Sequence, residues 1–155
     1  MKQDNISKLR SQAASALKWQ LAFSSSRAST KRVDNTSSGI HSVRTWNENV
    51  CALAKIGDDL GVKRLKQITE ERAIDYLIQR VASNLSDKTV SRDRVAIERF
   101  LGRKMPSYQD LQSMNHNPIL KNRWLKGIKN FIKTHAGDPR SPLGNRKSSK
   151  RSTYK

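Results

Sequence analysis

Apolar residues return at intervals of three and four along most of this chain, and each such run predicts an amphipathic helix. Ile6, Leu9, Ala13, Leu17 and Leu21 form the first, within residues 1–23. Ile40, Val43, Trp46, Val50, Leu53 and Leu60 form the second, and Gly61 stops it. Thr69 caps a third, with Ala73, Ile74, Leu77, Ile78 and Val81 as its buried stripe and Glu70 and Glu71 beside the positive end of its dipole. It ends near Ser83-Asn84. Ser86 caps a fourth helix through about residue 103, and Ser107 caps a short one through about residue 114. Asn117-Pro118 opens a last helix that Gly137 closes. No strand alternation or internal repeat intervenes, so the fold is predicted to be all-α, a small helical bundle. Trp19, Trp46 and Trp124 lie on or near apolar stripes and are expected to pack rather than stack on a ligand.

Projected at about 100° per residue, two helices separate charge from apolar surface. In the fourth, Lys88, Arg92, Arg99 and Arg103 fall within about 60°, opposite Val90, Ile97, Phe100 and Leu101. In the last, Leu120, Trp124, Ile128, Phe131 and Ile132 share one face, and Asn122, Lys126, Lys129 and Lys133 the other. That helix holds no acid. Solvated faces usually mix signs, because like charges one turn apart cost a few tenths of a kcal/mol. Segregated cations of this kind predict an anionic partner.

Composition extends the point. Among 155 residues, 31 Lys plus Arg stand against 13 Asp plus Glu, a net charge of +18, which attracts polyanions and disfavours self-association. The excess is uneven. Residues 41–105 carry 13 basic and 9 acidic groups, close to balance, whereas residues 1–40 carry 7 and 2, and residues 136–155 carry 6 and 1. The Ser/Thr/Asn-rich stretch 24–39 reads as a linker, and 138–155, without apolar period, as a disordered basic tail. The domain plan is therefore a helix at 1–23, the linker, a helical core at 40–105, further helices at 106–137 and the tail. Hydrophobic residues reach only 35%, consistent with segments outside any core.

Other chemistries find little support. The single cysteine, Cys51, forms no internal disulfide, which suits a reducing compartment, and no Cys/His cluster has metal-ligand spacing. No apolar run approaches the roughly 18 residues of a membrane span. Residues 1–29 are Ser-rich and basic, as in an organellar transit peptide, and Lys18 and Gln20 interrupt any secretory apolar run. No cofactor, metal or small-molecule substrate is expected.

The segment 37–101 resembles the N-terminal, SAM-like core-binding domain of tyrosine recombinases and phage integrases. The likeness lies in the order of features: Ser42-Val43-Arg44-Thr45-Trp46 opening a helix, Asp59-Leu60-Gly61 ending it, and Leu65-Lys66-Gln67-Ile68-Thr69 leading into Ala73-Ile74-Asp75-Tyr76-Leu77. Leu85-Ser86-Asp87-Lys88-Thr89-Val90 then starts a helix that ends at Phe100-Leu101. The resemblance implies half of a clamp around duplex DNA, with Arg44, Thr45, Lys88, Thr89, Arg92 and Arg99 facing it. The family's chemistry sits in a separate C-terminal domain, and nothing after Leu101 is long enough to form it, so the expectation is a core-binding unit without that partner or a fragment of a longer integrase. His41-Ser42-Val43-Arg44 matches the His-x-x-Arg box, and Tyr76 follows Arg44 by 32 residues, but Gln67 stands where a second His or Trp belongs and no upstream catalytic arginine fits.

The expectation is a non-enzymatic, nucleoid-associated bacterial DNA-binding protein of mobile-element type, with duplex DNA as partner and Arg103, Lys126, Lys129 and Lys133 adding to the DNA-facing set. Two readings compete. One is a helix-turn-helix regulator reading DNA through Thr89-Val90-Ser91-Arg92-Asp93-Arg94, against which stand Arg80 and Ser83, where such motifs place a small and a buried aliphatic residue, and the absence of Gly at Ser83-Asn84-Leu85. The other is a basic RNA-binding or ribosome-associated protein, or outside nucleic acid a basic adaptor.

Overall fold

The computed structural model describes residues 2–21 and 39–135, which are mostly helical and contain no strand. The tail at 138–155 and nearly all of the 24–39 linker lie outside the described residues. Six α-helices follow in order: α1 (Lys2–Leu17), α2 (Val43–Asp59), α3 (Glu70–Ala82), α4 (Asp87–Leu101), α5 (Tyr108–His116) and α6 (Pro118–His135).

Local chemistry sets most boundaries. Thr69 Oγ1 accepts from the Arg72 amide (3.4 Å), Ser86 Oγ from Thr89 (3.4 Å) and Ser107 Oγ from Asp110 (3.2 Å), so each hydroxyl satisfies an amide that its helix leaves open. The Asp110 carboxylate returns a bond to the Ser107 amide, completing a capping box. Asn117 Oδ1 accepts from Ile119, and Pro118 takes the first position of α6, where no amide is needed. Gly102, at φ +69°, ends α4 in the left-handed region, and Asn84, at φ +57°, makes the same turn between α3 and α4.

Leu9, Ala13 and Leu17 of α1 are fully buried in one core with Val50, Leu53 and Ile56 of α2, Ile74 and Leu77 of α3, Val90 and Ile97 of α4, and Leu111 of α5. The N-terminal helix is thus a wall of the same core as residues 40–105. It runs antiparallel to α2, since Asn5 Nδ2 donates to Asp58 at one end (3.2 Å) while Leu21 bridges Ile40 at the other. The two come close at Gly57, where a Cβ would lie 3.1 Å from Leu9 Cδ1.

Three expectations fail near these ends. After Leu17 the chain tightens into a 3₁₀ turn, Lys18–Gln20, and Leu21 leaves the helix to meet Ile40. Trp19, two residues past Leu17, therefore points away from the stripe and is 75% exposed rather than packed. Ile40 is taken by the extended bridge, so α2 starts at Val43, which is exposed in its first turn. Trp46 and Trp124 are half-buried against the core, as expected.

Candidate nucleic-acid interface

The fourth helix of the sequence, α4, presents its charges largely as its spacing predicts. Val90, Ala96 and Ile97 are buried, and Lys88 and Arg92, one turn apart across from them, are exposed and take part in no ion pair among the described residues. Thr89 is half-buried, and its hydroxyl lies 2.9 Å from that of Ser86 within the cap. Arg99 is half-buried, and its carbonyl accepts from Gln20 Nε2 (2.7 Å). Arg103 departs from the predicted face: α4 stops at Leu101, Gly102 reverses the chain, and Arg103 turns back to bond the Glu70 carboxylate of α3.

Arg44 and Thr45 sit in the first turn of α2. Arg44 is exposed and pairs with Glu48 of its own helix (3.2 Å), and Thr45 is half-buried, its carbonyl capped by Asn49 Nδ2 (2.8 Å). The Leu21–Ile40 bridge and the Gln20–Arg99 bond bring this turn to the end of the bundle that holds Arg99. Lys88 and Thr89 lie at the other end of α4, about 16 Å along its axis at 1.5 Å per residue. The positions drawn from the resemblance therefore fall into two groups.

A third group lies on α6. Lys126, Lys129 and Lys133 are exposed on one side, spanning about 10 Å of helix, with no carboxylate of α6 among them. Lys121, on the inner side, ties the helix to α3 through Asp75 (2.5 Å) and Glu71 (3.9 Å). The opposite, apolar side of α6 is only half covered. It borders a groove of about 760 Å³ between α5, α6 and the segment after α4. The spacing of Leu120, Trp124, Ile128 and Phe131 on α6 predicts an apolar face; that part of it stays open depends on how few elements reach it.

Three polar residues are buried against expectation, Gln20, Asn49 and Asp93. Asp93, 3% exposed, accepts from both Nε (3.1 Å) and Nη2 (3.0 Å) of Arg80. The helical projection already contained the signal: Asp93 falls about 40° from Ile97, and Arg80 about 20° from Ala73, each on an apolar face. Gln20, 7% exposed, joins α1 to α4 as described above.

The residues that mimic a recombinase active site do not converge. Tyr76 donates its hydroxyl to Asp59 (3.2 Å) at the far end of α2, about 22 Å along that helix from Arg44. Burial, then the Asp93 and Asp59 carboxylates, push its hydroxyl above its ordinary value, opposite to the activation that a nucleophile requires. No group of three or more His, Cys, Asp or Glu among the described residues could hold a metal ion. No described helix is long and apolar enough to cross a membrane. Comparison of the chain with models of known families, with curated proteins and with solved structures finds no match.

Proposed function

We propose that the chain binds duplex DNA without cleaving it, as a helical reader akin to the core-binding domain of a tyrosine recombinase. It would act on the nucleoid of a bacterial cell, in recombination or in the maintenance of a mobile element. The observation that carries this reading is a division among the cations. Three turned toward the bundle are matched by carboxylates, Arg80 by Asp93, Arg103 by Glu70 and Lys121 by Asp75, and of the exposed set Arg44 pairs with Glu48. Lys88, Arg92, Lys126, Lys129 and Lys133 face solvent with no such match among the described residues. A phosphate backbone supplies the missing negative charge, and neutralising about six to eight phosphates gives log K a slope of roughly −5 to −7 against log salt. Titration of duplex DNA, single strands and structured RNA at several salt concentrations tests this. A flat response removes nucleic acid as the partner, a steeper response on RNA moves the assignment there, and a tyrosine-linked DNA adduct overturns the non-enzyme reading.

A helix-turn-helix regulator is the second reading, and Asn84 favours it. Only four residues join α3 to α4, and Asn84 provides the left-handed turn for which no glycine was present. Under this reading Arg92 contacts a base, and Arg92→Ala relaxes preference at one position by about 1–3 kcal/mol; under phosphate contact alone it weakens all sequences alike.

A further inference from the structure

Helix α6 is fastened at its start and open along its later turns. Lys121 holds it to α3, but from Leu120 to Phe131 its apolar side borders the 760 Å³ groove, whose far wall is the reversal after α4. Leu120, Trp124 and Ile128 recur every four residues along the floor, with Met114 of α5 beside them. Phe131, 53% exposed, extends the row to about 16 Å, the length of three helical turns. The rim gives the groove a charge. Lys104 and Arg123 stand exposed on the rim without an ion pair among the described residues, and the one rim carboxylate, Asp110, is engaged by Ser107 in the α5 cap.

We propose that this groove docks an acidic amphipathic helix of a partner protein. The apolar stripe of such a helix fills a groove of this length, and its flanking carboxylates meet Lys104 and Arg123. Charge excludes the occupants that the chain itself could offer. Residues 136–155 carry a net +5, residues 22–38 a net +2 and a second copy +18, so each brings cations to a cationic rim. A nucleobase fits less well, because Phe131 shares the helix face of Trp124 and Met114, Leu120 and Ile128 are aliphatic, so no ring of the lining stands opposite Trp124. The inference does not depend on the DNA-binding reading.

The test uses the full chain and a fluorescent helical peptide of about four turns, with Leu and Phe on one stripe and Glu on its flanks. A matched peptide with Lys for Glu, and an oligothymidylate strand, serve as competitors. Gly127 lies beside the floor, and a Cβ there meets nothing within 4 Å, so Gly127→Phe plugs the groove without disturbing its walls. The acidic peptide should bind with a dissociation constant in the micromolar range, at least about tenfold tighter than the basic one. It should lose at least about tenfold in affinity with Lys104→Glu/Arg123→Glu and bind undetectably to Gly127→Phe. Duplex DNA should bind Gly127→Phe as it binds the native chain, which separates this result from the DNA reading. Equal binding of the two peptides, full binding by Gly127→Phe, or no binding of the acidic peptide each overturns the proposal. Displacement by oligothymidylate that Gly127→Phe abolishes assigns the groove to single strands instead.

Discussion

Replacing Asp93 with alanine should be among the most damaging single changes in this protein. Its carboxylate is 95% shielded, and both Nε and Nη2 of Arg80, whose side chain is itself 20% exposed, converge on one of its oxygens. Arg80 also lies 5.7 Å from the centre of the Tyr76 ring, so Asp93→Ala leaves the guanidinium against an aromatic face with no carboxylate paired to it among the described residues. Breaking one side of a buried pair costs about 3–5 kcal/mol, a third or more of the stability of an ordinary domain. With a urea dependence of about 1–3 kcal/mol per molar, the unfolding midpoint followed by far-UV circular dichroism should drop by roughly 1–5 M. The double replacement Arg80→Met/Asp93→Leu removes both charges and keeps apolar volume, so it should recover most or all of that loss. DNA affinity should be unchanged in the double variant, because Arg80 faces inward. The reasoning fails if Asp93→Ala costs less than about 0.5 kcal/mol, as a surface change would, or if the double variant is as unstable as the single one.

Three further changes probe the core, the Tyr76 bond and the α6 lysines. Ile97→Ala, at a position with no exposure, should cost about 2–5 kcal/mol in thermal or urea unfolding, whereas Arg92→Ala on the solvent face should stay within about 0.5 kcal/mol and lower DNA affinity. Tyr76→Phe should sacrifice roughly 1 kcal/mol at neutral pH by losing its bond to Asp59. It should also flatten the alkaline limb: the folded chain keeps this proton where the unfolded chain, ionising near 10.0, releases it, so native stability falls as pH rises past that value. Identical declines in urea midpoint for the two proteins above about pH 10 would contradict this. Lys126→Gln/Lys129→Gln/Lys133→Gln should leave the fold intact and reduce the duplex salt slope by about 2.7 if each lysine meets one phosphate; an unaltered slope removes α6 from the interface.

Much of this architecture was legible because local chemistry determines it. Thr69, Ser86 and Ser107 cap as their positions require, Pro118 opens α6, and the apolar stripes of α3 and α4 are buried as their periods predict. Tertiary events account for the departures. Nothing local to Leu21 signals that it will leave α1 to bridge Ile40, since that contact joins positions separated by the linker. Arg103 continues the basic arc of α4 on paper, but Gly102 reverses the chain and a carboxylate 33 residues away claims the guanidinium. Asp93 and Arg80 show the opposite case. Their places on apolar faces were visible in the projection, and a pair of opposite charges on adjacent helices is the arrangement that permits both to be buried.

The helix dipole separates cations that serve the fold from those that do not. Lys129 and Lys133 lie in the last turns of α6, where a positive charge is stabilised by the carbonyl end of the helix, so part of their placement has an intramolecular reason. Lys126 is farther from that end, and on one face it adds like-charge repulsion toward Lys129 and Lys133. Lys88 is the harder case. It occupies the first turn of α4, where the amides already present positive charge and a cation costs about 0.3–1 kcal/mol. Asp87 offsets part of this, but its carboxylate also accepts from the Ser91 hydroxyl (2.9 Å) and makes no ion pair with Lys88. An anion approaching this turn would meet Lys88, Arg92 and the helix end together, and would turn an unfavourable placement into a favourable one. Lys88→Glu should therefore stabilise the free protein by a few tenths of a kcal/mol while weakening DNA binding more than Lys88→Ala does. A Lys88→Glu variant that is less stable, or that binds DNA as tightly as the native chain, would show that this turn does not meet phosphate.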